Sequence, residues 1–257
     1  MVGLLRHLAV CACCALSACA STNAQRQPTM SADARLQVAE AADASGDAEL
    51  AISMYTAAAA SEPANTNLQL RCADALARRG KIDAARKLLA ERLRTYPGQP
   101  DLVRALALIN LVAGQPAQAI IELDQILAGN PGDTRALVDK AVALDLQGQH
   151  AAAQTIYQQV LTIAPNDAAA RNDLALSLML EGRTHQALET LAPMQDADGS
   201  PRRLKVNLGI LYAATGNVER SRQLLGDRVS DGDVSALTQA LASSAAGGRA
   251  GRQPAGQ

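Results

Sequence analysis

The stretch DTRALVDKAVALDLQGQHAAAQTIYQQVLTIAPN, residues 133–166, decides the fold. From Asp133 to Gln147 its apolar residues Leu137, Ala141 and Leu144 recur at helical spacing. Gly148 ends that run, because the residue just past a helix end needs φ > 0 and glycine adopts it without steric cost. A second amphipathic run, Ala151 to Ile163, stops before Pro165, since a residue preceding proline is pushed out of the α region. The segment therefore encodes two helices, each with its own stop.

The same punctuation runs along the chain. Gly46, Gly80, Gly114, Gly148, Gly182 and Gly216 are each 34 residues apart. Ala51, Ala85, Ala119, Ala153 and Ala187 keep that step, and Ser221 takes the sixth place. A second small column, Ala39, Ala73, Ala107, Ala141, Ala175 and Gly209, precedes each glycine by seven residues, and Pro63, Pro97, Pro131 and Pro165 mark four ends. The small columns fall where two antiparallel helices cross, and small side chains there let the axes approach to roughly 8–10 Å.

This unit resembles the tetratricopeptide repeat, a 34-residue helix-turn-helix. In that family's register position 1 falls at Ala32, Thr66, Pro100, Thr134, Ala168 and Arg202, the small residues at positions 8 and 20, and the proline at position 32. Tyr55 and Tyr157 take position 24, and Tyr212 position 11. Repeat 5 departs, with Gly199 at position 32 and Pro201 after it; repeat 6 lacks the terminal proline, as befits a capping repeat. The resemblance implies an all-α fold, a right-handed superhelix of six repeats over residues 32–232. Residues 233–244 are expected to form a short capping helix and residues 245–257 a disordered tail.

The N-terminus reads as an export signal. Arg6 and His7 precede an apolar run, Leu8 to Leu16, too short to span a bilayer. It closes on Leu16-Ser17-Ala18-Cys19, which resembles a bacterial lipobox. The resemblance implies removal of residues 1–18, lipidation of Cys19 and a polar tether over residues 19–31. Ala20 after the cysteine implies sorting to the outer membrane, with the domain on its periplasmic face. Of five cysteines, Cys11, Cys13 and Cys14 leave with the signal, so only Cys72, in a helix-core slot, remains a free thiol.

Composition narrows the partners. The 257 residues are 48% hydrophobic but only 2% aromatic, so the core is mostly Ala and Leu. A net charge of −1 with both signs interspersed leaves no basic footprint for nucleic acid. No phosphate-binding, nucleophile-elbow or zinc-protease motif is present, and no catalytic residue, cofactor or metal is expected. His150 and His185, at the start of second helices, read as solvated turn residues, and Asp196 and Asp198 as loop chemistry. An enzyme is the least supported class.

In the tetratricopeptide-repeat family the first helix of each repeat lines a concave, peptide-binding face. Position 9 reads Glu40, Asp74, Leu108, Val142, Leu176, Ile210 down the stack, and position 13 reads Ala44, Arg78, Val112, Leu146, Leu180, Ala214. With Leu111 and Met179 at position 12, repeats 3–6 present an apolar stripe suited to an amphipathic segment or, equally, to packing between helices. Asn207 matches a place where the family carries a backbone-binding asparagine.

The layout of lipobox, tether and repeats, with Val206-Asn207-Leu208-Gly209-Ile210-Leu211-Tyr212-Ala213-Ala214-Thr215-Gly216-Asn217 near the end, resembles the TadD lipoproteins of Tad (Flp) pilus systems. That resemblance implies a pilotin-like protein whose partner is a secretin or another pilus-assembly component. The alternative is a lipoprotein scaffold for cell-wall enzymes or for outer-membrane protein insertion. Enlarging the small column tests the register: Ala153→Leu should overpack the helix crossing of repeat 4 and destabilise by about 1–3 kcal/mol, read as a lower urea midpoint.

Overall fold

The computed structural model describes residues 30–194 and 202–226, with single positions at 232 and 236. Twelve α-helices and no strand occur among the described residues, paired as α1 (Ala32–Ser45) with α2 (Ala48–Ser61), α3 (Thr66–Arg78) with α4 (Ile82–Thr95), and α5 (Pro100–Val112) with α6 (Pro116–Gly129). The remaining pairs are α7 (Thr134–Leu146) with α8 (His150–Ile163), α9 (Ala168–Leu180) with α10 (Thr184–Leu191), and α11 (Arg202–Ala214) with α12 (Val218–Leu225). Each helix packs on its partner, and the second helix of each of the first five pairs packs on the first helix of the next, which makes an α-solenoid. The expected signal, the lipidation site Cys19, the capping helix, the tail and the end of repeat 5 (Asp196, Asp198, Gly199, Pro201) lie outside the described residues.

One closure recurs at all six intra-repeat turns. At Gly80 (φ 73°) the glycine N–H donates to Ala77 O at 2.9 Å, and the next N–H, of Lys81, donates to Leu76 O at 2.9 Å. This is a Schellman motif, which satisfies the carbonyls a helix end leaves open. The equivalent pair forms at Gly148, where Gln149 N–H reaches Leu144 O at 2.9 Å. At the other end of the pair, Ser31, Asn65, Asp133 and Asp167 cap α1, α3, α7 and α9 with side-chain oxygens. Repeat 5 breaks step earlier than expected: α10 ends at Leu191 and continues as a 3₁₀ turn, Ala192–Met194. Pro193 within that turn lacks the N–H a further α-helical turn requires.

Both small columns are sealed. Ala39, Ala73, Ala107, Ala141, Ala175 and Gly209 are buried, as are Ala51, Ala85, Ala119, Ala153, Ala187 and Ser221. Large position-24 side chains, Tyr55, Leu89, Leu123, Tyr157, Leu191 and Leu225, fill the space beside them. The fit is tightest in repeat 6, where a Cβ on Gly209 would lie 2.5 Å from Leu225 Cγ. Burial of one such leucine contributes about 1.5–3 kcal/mol. Cys72 is a buried free thiol, and burial raises its pKa.

Ser221 is fully buried where the other five repeats have alanine, and its Oγ has no hydrogen-bond partner. Ser221→Ala should stabilise by about 1 kcal/mol, since it removes a desolvated hydroxyl and improves helix propensity. An unchanged or lower thermal midpoint would show the hydroxyl to be satisfied in solution.

Candidate functional site

First helices of neighbouring repeats touch directly, α3 with α5, α5 with α7, α7 with α9 and α9 with α11, while second helices make no comparable contact. The stack therefore curves with the first helices inside. Polar pairs cross this inner face at an offset of 35 residues: Arg78 donates to Asp43 at 2.9 Å, Arg104 to Asp139 at 2.6 Å and Asn207 to Asn172 at 2.7 Å. Position 12 of one repeat thus faces position 13 of the next, and position 5 faces position 6.

At repeats 1 and 2 the inner face neutralises itself. Arg71 pairs with Glu40 (2.8 Å), Arg78 with Asp43 (2.9 Å) and Asp74 (3.2 Å), and Arg79 with Asp43 (2.8 Å). The Arg79 hydrogen bond, joined by the charges of Arg78 and Arg79, holds the Asp43 carboxyl below the usual range. Such surface pairs each contribute under about 1 kcal/mol, but together they fill this end of the face with matched charge.

From repeat 3 the face turns apolar, and the structure divides the ten candidate residues. Val112, Leu146 and Leu180 stand clear at 71%, 60% and 62% exposure, one per repeat in the same register position. Leu108, Leu176 and Ile210 are half-buried beside them. Leu111, Val142 and Met179 brace the repeat cores. Asn207 gives its amide to Asn172, which in turn donates to Asp173 at 2.8 Å, so it serves here as a rung between α9 and α11. Desolvation raises the pKa of both Asp139 and Asp173, despite the Arg104 and Asn172 hydrogen bonds respectively.

Two polar clusters went unread in the sequence. Asp145 accepts hydrogen bonds from Ser177 Oγ (2.7 Å) and Tyr157 OH (3.2 Å), and pairs with His150 Nδ1 at 2.8 Å. The expectation of a solvated turn histidine holds for exposed His185 and fails for His150, whose ring is largely covered and tied to Asp145. Repeat 1 reproduces the tyrosine link, Tyr55 OH to Asp43 at 3.4 Å. The signal was legible: only repeats 1 and 4 carry tyrosine at position 24, and both carry aspartate at position 12. In the second cluster, Asn110 Nδ2 donates to both oxygens of Glu122 at 2.9 Å, within repeat 3. Among the described residues no three His, Cys, Asp or Glu side chains converge as a metal site, and no helix is long and apolar enough to cross a membrane.

A curved stack of helix pairs with an apolar row on its inner face defines a protein-interaction scaffold. The tetratricopeptide-repeat family profile matches residues 42–109, 111–174 and 146–205, more than half of the chain, and the chain belongs to that family. The uncharacterized protein y4yS of Sinorhizobium fredii (strain NBRC 101917 / NGR234) is 38% identical over 72 residues, 28% of this chain. The match spans 40% of that relative's length. PilW, described as a widely conserved type IV pilus biogenesis factor, superposes with a TM-score of 0.63 at 19% identity, covering 82% of this chain and 98% of PilW. MamA superposes with a TM-score of 0.51 at 18% identity, covering 66% of this chain and 97% of MamA. At these identities the likeness is one of fold.

Glu122 supplies a pH test. Desolvation raises its carboxyl above the ordinary range, offset by hydrogen bonds from Asn110 and Gln118 and by the Arg86 charge. A raised acid binds its proton in the folded state before the unfolded one, so its contribution to stability falls as pH rises through that window. Glu122→Gln removes the titration, and its stability relative to the parent chain should increase between pH 4 and pH 7 in urea unfolding. A pH-independent difference would contradict the burial argument.

Proposed function

We propose that the chain is an outer-membrane-anchored scaffold, facing the periplasm, that holds a protein client during assembly of an envelope machine. Tad/Flp pilus biogenesis is the favoured setting and a secretin the favoured client, a pilotin-like role. The observation that carries the reading is the exposed row Val112, Leu146 and Leu180. Leucine and valine at such exposure, in register on three successive repeats, contribute little to packing and suit a partner surface. Neighbouring first helices lie roughly 10 Å apart. Seven residues of a client helix rise by about 10.5 Å, so apolar residues seven apart would meet the row in step.

Three further features support the setting. The lipobox Leu16–Cys19 supplies the anchor, the terminal-repeat sequence 206–217 resembles TadD, and the fold is shared with a pilus biogenesis factor. The chain acts by holding and presenting, without turnover.

A pull-down from detergent-solubilised envelopes tests both halves of the reading. The lipidated chain should recover a secretin with pilus components, and Cys19→Ser should reduce that recovery. Leu146→Asp combined with Leu180→Asp should abolish client recovery while leaving the helical circular-dichroism signal intact, because both side chains are mainly solvent-exposed. Recovery of cell-wall enzymes or outer-membrane insertion factors instead would replace the client.

A further inference from the structure

The Asn110–Glu122 pair lies at the junction of repeats 2 and 3, in columns that are otherwise mostly apolar. Position 11 holds Ala42, Leu76, Leu144, Leu178 and Tyr212 in the other repeats, and position 23 holds Met54, Leu88, Ile156, Thr190 and Leu224. Repeat 3 alone is polar on both sides, and it buries the pair almost fully, Asn110 at 1% and Glu122 at 6% exposure. A buried carboxylate costs free energy unless a partner compensates it. Here Asn110 Nδ2 and Gln118 Nε2 donate to Glu122 and the Arg86 charge favours its ionised form, while Asn110 Oδ1 has no partner.

The pair floors a cleft of about 340 Å³. Its opposite wall is the α4 surface carrying Asp83, Arg86 and Lys87, and the small side chain of Ala90 contributes to the space. At the floor the Glu122 carboxylate is the acceptor an incoming group would meet, with the orphaned Asn110 carbonyl buried beside it. An anion would meet the carboxylate and find no donor for that carbonyl. A guanidinium or primary ammonium supplies several N–H groups and the opposite charge. Arg86 on the wall pairs with Asp83 at 3.5 Å and its charge also acts on Glu122, so an incoming cation competes with Arg86 for the floor.

We propose that this cleft is a recognition site for one cationic, multiply donating head group, guanidinium or primary ammonium, taken from a partner's arginine or lysine side chain or from a free small amine. The site is built from α4, α5 and α6 and is separate from the exposed row Val112, Leu146 and Leu180.

The test is a titration of the ¹⁵N-labelled chain with N-acetyl-arginine methylamide in one arm and agmatine in the other, followed on the Asn110 and Gln118 side-chain amides. Saturable shifts in the millimolar range are expected, weakened at least about tenfold by Glu122→Gln, an isostere that removes the charge. Tighter binding of the blocked arginine assigns the site to a protein side chain, and tighter binding of agmatine assigns it to a free amine. The double variant Asn110→Leu, Glu122→Met restores the apolar columns; it should remain folded by urea midpoint and bind neither probe. Leu146→Asp should leave the affinity unchanged. No saturable shift in either arm, as when Arg86 itself fills the floor, or equal affinity in Glu122→Gln, overturns the proposal.

Discussion

The crossing of each helix pair is the constraint on which the rest of the molecule depends. Two columns of alanine, glycine and serine let the helices meet closely, and position-24 tyrosines and leucines close the space around them. The Schellman turn at each glycine sets the chain reversal, so every pair enters the stack in the same register. With no Phe or Trp in the chain, Tyr55 and Tyr157 are the aromatic side chains of the position-24 column, and elsewhere the core relies on the regularity of many small contacts. Gly209 against Leu225 shows how little slack the arrangement leaves.

Because the stacking register is uniform, departures from it carry the information. Charged pairs occupy the inner face of repeats 1 and 2 and saturate one another. The same positions in repeats 3, 4 and 5 present valine and leucine to solvent. Buried polar groups mark every junction: Gln69 on the Ala59 carbonyl between repeats 1 and 2, Asn110 and Glu122 facing α4 of repeat 2, Asp139 with Arg104 between repeats 3 and 4, Ser177 with Asp145 between repeats 4 and 5, and Asn172 with Asn207 between repeats 5 and 6. In a solenoid each repeat leans only on its neighbours, so such a group acts on one interface without altering the others. The Asp145 cluster is well matched, with three partners on one carboxylate, and fixes that interface. The Asn110 cluster is left one donor short.

The sequence by itself determined the architecture: the helix pairs, their stops, the crossing columns and the buried state of Cys72. These are local or periodic properties, written as spacing, and a spacing survives reading without coordinates. It also supplied the apolar character of the inner face from repeat 3 onward. Tertiary structure decided which of those residues face solvent. Val112 and Leu111 are sequence neighbours, yet one is exposed and the other braces a core, because a rotation of about 100° per residue turns adjacent side chains to different neighbours. Only the packed helices reveal that His150 is covered, that Asn207 is held by Asn172, and that a cleft opens beside Asn110. Each depends on a side chain from another helix arriving at a given distance, and helical spacing along the chain does not encode that distance.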